Sequence, residues 1–390
     1  MKIGNTIYFD HQSTTPTDER VLEKMQPFYQ SLFGNPHSSE HVLGWKSTHA
    51  IEHASVQVAD LLGGAADEVV FTSGATESNN LAVLGTAQKN SKGSRKRIIT
   101  SSIEHKCVIE AAKMARNLFG FTVEEVPVGL DGRLDMSWLR DHLDESVLLV
   151  SVIAVNNEIG IIQDLPEIAR LAHDVGAFVH SDCAQAPMAL DLKIIADHID
   201  MASLSAHKMY GPKGIGVLWV ERSVQAHIQP ILHGGGQQQG LRSGTVPVPL
   251  VVGMGEAAQI LLDSDMERER SHSRALIQKF VNGLQKQGID SNLNSPSDET
   301  GHPASVNIQF IGMQAQDILQ TVQPYLAAST GSACTSGIPE PSHVLRSIGL
   351  TEEEAQSSIR FSIGRKTTER DIDQAVNVLA NALSSLSATF

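Results

Sequence analysis

Hydrophobic and polar positions change period in a regular way between about residue 45 and residue 220. WKSTHAIEHASVQVADLLGG carries apolar residues at helical spacing and ends on glycine, a common helix stop. DEVVFTSG is a short apolar strand and ATESNNLAVLGTAQ a helix behind it; KRIITSS and EHKCVIEAAKMARNL repeat that unit. VLLVSVIAV has the continuous apolar character of a strand buried on both faces. DLPEIARLAHDVG predicts a helix, AFVHSD a strand, and MASLSAHKMYGPKGIGVLWV a strand, a glycine-proline turn and a second strand. Such alternation predicts an α/β fold with a mostly parallel central sheet. The stretch GMGEAAQILLDSDMERERSHSRALIQKFVNGLQ is helical and increasingly charged, and it predicts a crossing into a second, smaller unit. Beyond it, short strands such as SVNIQF and IRFSIG alternate with amphipathic helices, an α+β pattern.

With 390 residues the chain exceeds the size at which a single core stops growing. We expect a large α/β domain over 16–258 and a smaller α+β domain from 1–15 and 259–390. The formal net charge of -14 argues against a broad nucleic-acid or anionic-membrane surface, because such partners repel an acidic protein. Cys107, Cys183 and Cys334 are far apart and form no CxxC pair, so neither a disulfide framework nor a zinc site follows from their spacing. The N-terminal MKIGNTIYFD lacks a basic-then-apolar leader pattern, and VLLVSVIAV falls well short of the roughly 18 residues that span a bilayer. A cytoplasmic protein is the expectation.

The residue types able to do chemistry gather just past the apolar runs, in SGATES, SIEHK, VNNEIG, SDCAQ and SAHK. Open α/β sheets bind ligands at the carboxyl ends of their strands. SGAT, residues 73–76, joins a strand to a helix with small residues, which suits either a phosphate at a helix N-terminus or a plain turn. Lys208 follows an apolar run and precedes a glycine turn; a lysine in a low-dielectric pocket loses its proton readily and forms a Schiff base, whereas a solvated one does neither. Asp182 closes AFVHSD, where a carboxylate serves as a cap, an ion-pair partner or a ligand group. His105, at a helix start, either stacks on a planar ring or simply begins the helix. Cys334 lies in STGSACTSG, among small and hydroxylated residues that give a thiol no packing value, which suits either a reactive thiol on a surface loop or an accidental exposed cysteine. A phosphate cradle, a Schiff-base lysine, an acid for a ring nitrogen and a stacking ring are together what pyridoxal phosphate requires.

The segments YFDHQSTTP, FGNPHS, VVFTSGATESNN, EHKCV, VNNEIG, SAHKMYGPKGIG, HGGG, LRSGT, GSACTS and SSIRFSIGR run in one order along nearly the whole chain. In this the sequence resembles the NifS/IscS-type cysteine desulfurases of group I, class-V members of the fold type I pyridoxal phosphate enzymes. The resemblance implies Lys208 as the Schiff-base lysine, Asp182 at the pyridinium nitrogen and His105 stacked on the ring. Gln185 and Asn157 would hold the ring, and Ala75, Thr76, Ser205 and His207 the phosphate. Thr245 would reach the phosphate of a neighbouring subunit in a homodimer. Arg360, with Asn35, would bind the carboxylate of L-cysteine, and Cys334 would take its sulfur as a persulfide and pass it to an acceptor protein. No metal is implied. Gln238 and Gln239 replace a charged pair usual in the family, and the chain ends at ANALSSLSATF, short of the tail that docks housekeeping enzymes on their iron–sulfur scaffold. That predicts another acceptor, such as one serving tRNA thiolation or DNA phosphorothioation. Two rivals stand beside this reading: a selenocysteine lyase or other class-V enzyme, and a sulfur-relay or scaffold protein without catalysis.

Overall fold

The computed structural model describes residues 1–331 and 341–387. A seven-stranded sheet runs, edge to edge, through Val69–Thr72, Gly216–Val220, Met201–Ser205, Phe178–Asp182, Val147–Ser151, Arg97–Ser101 and Thr122–Val126. Only Gly216–Val220 opposes the others; the remaining neighbours pair in parallel. The central strands are buried from end to end, as their unbroken apolar runs require when helices cover both faces. The edge strand Thr122–Val126, by contrast, is half-exposed and polar in the middle, and its hydrophobic pattern does not announce it.

The parallel direction brings the carboxyl ends of Val69–Thr72, Arg97–Ser101, Val147–Ser151, Phe178–Asp182 and Met201–Ser205 to one rim. Each motif singled out by composition follows one of these ends. On the opposite edge, the Gln238 side chain accepts from the Phe71 N–H (2.7 Å) and donates to the Phe71 carbonyl (2.8 Å), standing in for a further strand on Val69–Thr72. This glutamine thus covers backbone groups that an edge strand leaves open.

The stretch expected as one long helical crossing is two helices, Val248–Leu262 and Met266–Lys286. The break comes at Ser264 and Asp265, because the Asp265 carboxylate accepts the Arg268 N–H and caps a new helix. The first helix packs on Val42–Leu62 within the core of the large sheet. The second joins another core, in which Phe361 meets Phe280 at a tilt and Phe310 edge-on, beside Ile7 and Phe9. Two three-stranded sheets complete the fold; in one, Ser305–Phe310 and Ser358–Ser362 pair antiparallel, with Asn307 opposite Arg360. Among the described residues no helix is long and apolar enough to cross a membrane.

Candidate active site

A cavity of about 710 Å3 opens at the carboxyl rim of the large sheet. The structure brings to it Lys208, Asp182, His105, Gln185, Asn157, Ala75, Thr76, Ser205, His207 and Arg360. Asn35 and Thr245 are exposed and stand outside it; the Asn35 side chain accepts the His37 N–H at 2.9 Å instead. Cys334 lies outside the described residues, but Ser329 and Gly331, just ahead of its segment, line the cavity.

Asp182 ends its strand and is buried at 3% exposure. Its Oδ1 accepts the Ala184 N–H at 3.0 Å and its Oδ2 accepts from Asn79 Nδ2 at 2.7 Å. Asn79 sits one helical turn past Thr76, so the helix that presents SGAT to the cavity also fixes the acid. Asn79 Nδ2 lies 3.1 Å from Cys107 Sγ, which in turn lies 2.9 Å from His105 Nδ1. Burial lowers the His105 pKa, against the opposing pull of Asp182. The ring is therefore neutral at working pH; with the Cys107 N–H directed at Nδ1, the proton belongs on Nε2. Burial, reinforced by Asp182, pushes the Cys107 thiol up to about 12, and burial does the same to Cys183 within the core. Both sulfurs stay protonated.

At the phosphate end, Gly74 precedes the helix with φ 148°, a conformation L side chains rarely adopt, so the strand can turn sharply into the helix that begins at Ala75. Glu77 receives Arg242 at 2.8 Å and the Ser73 N–H at 2.7 Å; burial opposes its ionisation, but these bonds outweigh it and hold the carboxyl below its usual range. That ion pair ties the LRSGT segment to the cradle. His207 Nδ1 meets Thr14 Oγ1 at 3.1 Å, and burial, with Lys208 and Lys213 beside it, brings the His207 pKa down to about 4.

Lys208 Nζ donates to the carbonyls of Gln12 and Ser13, and Gln185 Nε2 donates to the same Gln12 carbonyl at 2.9 Å. Sequence reasoning gave Gln12, Ser13 and Asn79 no role. Asn79 had a local signal in its spacing from Thr76; Gln12 had none, being 196 residues from the lysine it holds.

Arg360 is 3% exposed. Its guanidinium donates to the Asn157 carbonyl (2.7 Å), Asp10 Oδ1 (2.8 Å) and Ser13 Oγ (2.7 Å), while Nε has no partner among the described residues. Its backbone bridges Ser329, at the stem of the Cys334 segment. A buried guanidinium with an unused donor on a cavity wall suits a planar carboxylate. Arg360→Lys should raise KM for the amino-acid substrate by about tenfold with a smaller effect on kcat, since an ammonium offers no planar fork; a lowered kcat at unchanged KM would remove Arg360 from substrate binding.

Behind the histidine, Glu104 is fully buried; its Oε1 accepts from Ser101 Oγ and the Ile153 N–H, both at 2.6 Å. Burial raises its pKa from 4.5 to about 8, and the Asp182 charge adds to the rise. Between those values the folded chain holds a proton that the unfolded chain has released, so this group makes stability fall as pH rises through that window and level off above it. In Glu104→Gln the thermal midpoint should decline less between pH 5 and 8 than in the unsubstituted protein. Parallel midpoint curves would show that Glu104 is ionised in the fold.

The donor set suits pyridoxal phosphate. A buried carboxylate could pair with a ring nitrogen, a neutral imidazole could stack on a ring, an amine is within the same space, and small residues at a helix start leave room for a phosphate. The cavity also has the size of a cofactor-plus-substrate site.

Residues 7–375 match the family described as aminotransferase class-V. The chain is 44% identical over 382 residues to a cysteine desulfurase IscS of Rickettsia rickettsii, covering 98% of this chain and 92% of that one. Among solved structures, a NifS-like protein superposes with a TM-score of 0.89 at 34% identity, covering 97% of this chain and all of the other. A structure of SspA in complex with cysteine superposes with a TM-score of 0.79 at 35% identity, covering 91% and 98%.

Proposed function

The chain belongs to the class-V aminotransferase family and, within it, to the IscS-type cysteine desulfurases, and from that premise we propose how its residues remove sulfur from L-cysteine. The observation that carries the assignment of roles is the convergence of Lys208, Asp182 and His105 on one cavity at the carboxyl ends of neighbouring strands. The cofactor is pyridoxal phosphate, which supplies an electron sink next to the substrate's α-carbon.

Asp182, held by Asn79, would pair with the cofactor's ring nitrogen and His105 would stack on the ring. Gln185 and Asn157 would hold the ring in place. Ala75, Thr76, Ser205 and His207 would bind the phosphate. Arg360 grips the substrate carboxylate. The Lys208 amine, which donates to the Gln12 and Ser13 carbonyls, would take the α-proton and later return one. The Cys334 thiolate attacks the substrate sulfur: an S–S bond forms, the C–S bond breaks, and its electron pair stays with the carbon fragment. Protonation of that fragment gives L-alanine, and the sulfur remains on Cys334 as a persulfide for transfer to an acceptor protein. Thr245 would reach the phosphate of the opposite subunit in a homodimer, and Asn35 would assist Arg360 at the substrate carboxylate. The same reading divides the chain into a large domain, 16–258, and a small one from both ends, and places the enzyme in the cytoplasm.

The test is stoichiometry. Cofactor-loaded enzyme given isotopically labelled L-cysteine should yield alanine and protein-bound sulfane sulfur in equal amounts. Alanine without bound sulfur, or a keto acid in its place, would refute the persulfide step. The labelled sulfur, chased into a cell extract, then identifies the acceptor; recovery chiefly on an iron–sulfur scaffold would overturn the expectation of a different pathway.

A further inference from the structure

Behind Lys208 lies a second, small cavity of about 20 Å3, on the order of the space one water molecule needs. Gln12, Gln185 and Lys208 line both this chamber and the large cavity, so it adjoins the catalytic space. Its other walls include His11, Tyr210 and Gly364.

Three polar groups converge there. His11 is 5% exposed, and its Nδ1 lies 3.1 Å from the Ser362 carbonyl, which can only accept; Nδ1 therefore carries the hydrogen. Burial keeps the ring neutral, so Nε2 is left as a bare acceptor, and it has no partner among the described residues. The Tyr210 hydroxyl accepts the Arg365 N–H at 2.8 Å, leaving its own hydrogen to donate. A Cβ on Gly364 would stand 2.3 Å from His11 Nε2 and 2.6 Å from the Tyr210 oxygen, so both atoms face the same small space and only glycine leaves it open. Gln12, 3% exposed, has both its side-chain oxygen and nitrogen unpartnered among the described residues. Leaving such groups buried and unsatisfied is costly, and a polar space of this size with three partners is where proteins keep ordered water.

We propose that this chamber holds a resident water molecule that fixes Gln12, whose peptide carbonyl positions Lys208 and Gln185. The water accepts from Tyr210, donates to His11 Nε2 and takes one bond from the Gln12 amide. With the Gln12 side chain anchored, its carbonyl presents a fixed acceptor to the lysine Nζ on the catalytic side. His11 and Gln12 are positioning residues. The proposal rests on the reading above only through the role of Lys208; the presence of the water does not depend on it.

A high-resolution crystal structure of the cofactor-loaded enzyme should show density for one water within hydrogen-bond distance of His11 Nε2, Tyr210 Oη and the Gln12 amide. His11→Leu should lose that density and lower kcat for cysteine about tenfold with KM unchanged, roughly the ratio one net hydrogen bond is worth. His11→Gln, whose amide oxygen can take the place of Nε2, should restore both. An empty chamber in the unsubstituted enzyme, or a His11→Leu enzyme with unchanged kcat, overturns the proposal. If His11→Leu does not fold, the density in the unsubstituted enzyme decides by itself. Water present in an enzyme that makes no alanine would leave this site standing and remove the catalytic reading instead.

Discussion

Lys208→Ala should lower cysteine turnover about 1,000-fold or more, within the range that a positioned acid–base group contributes, and remove the visible absorbance of the cofactor-loaded protein. Two separate losses combine in that one substitution. In the proposed role the amine that anchors the cofactor would be gone, so the chromophore should either leave or change colour. The amine proposed to move the α-proton would be gone as well, so an enzyme resupplied with cofactor should bind cysteine and stall. The surroundings should tolerate the change. Lys208 spans from the end of a buried strand to carbonyls of the N-terminal segment, and those carbonyls face a cavity that water can enter. The thermal midpoint of the apoprotein should therefore move little. A Lys208→Ala enzyme that keeps both its colour and more than a tenth of its turnover would show that another amine does the work; Lys213, on the same cavity wall, would be the next to test.

How far the site was legible follows from which interactions are local. The α/β alternation was readable because buried parallel strands must be apolar throughout and the helices between them keep one apolar face. Since all the parallel strands end at one rim, a motif placed after a strand is also placed in space, and SGATES, SIEHK, VNNEIG, SDCAQ and SAHK met as that rule requires. The edge strand Thr122–Val126 escaped because its middle residues face solvent and break the pattern. The break at Asp265 escaped because a single cap ended one helix and began another inside an unbroken helical periodicity. The Gln12 carbonyl escaped for a different reason: any residue presents a carbonyl, so nothing in the side-chain sequence marks the one that holds a lysine 196 positions away. Asp10, which pairs with Arg360 across 350 positions, is of the same kind. The Cys334 segment was singled out only by its composition, since a thiol among glycine, serine and threonine has no core to serve.

Cys334→Ser should abolish alanine formation, by about 1,000-fold or more as expected when a catalytic nucleophile is removed, while leaving the absorbance of the cofactor and its response to cysteine in place. Composition singles out Cys334, and the surroundings of the other two thiols disqualify them. Of three cysteines in the chain, Cys183 is fully buried in the core of the large sheet, and Cys107, although on the cavity wall, is tied to His105 and Asn79. Burial pushes both thiols up to about 12, so neither supplies appreciable thiolate near neutral pH, and thiolate is the form that attacks sulfur. A hydroxyl at 334 is nearly the size of the thiol but cannot form an S–S bond. Lys208→Ala and Cys334→Ser should thus fail at different points: the first loses the cofactor's anchor and proton transfer, the second only the sulfur acceptor. Substituting Cys107 by serine is the control. If Cys334→Ser still yields alanine with sulfane sulfur on the protein, and Cys107→Ser does not, the nucleophile is the wall cysteine, ionised in spite of its burial.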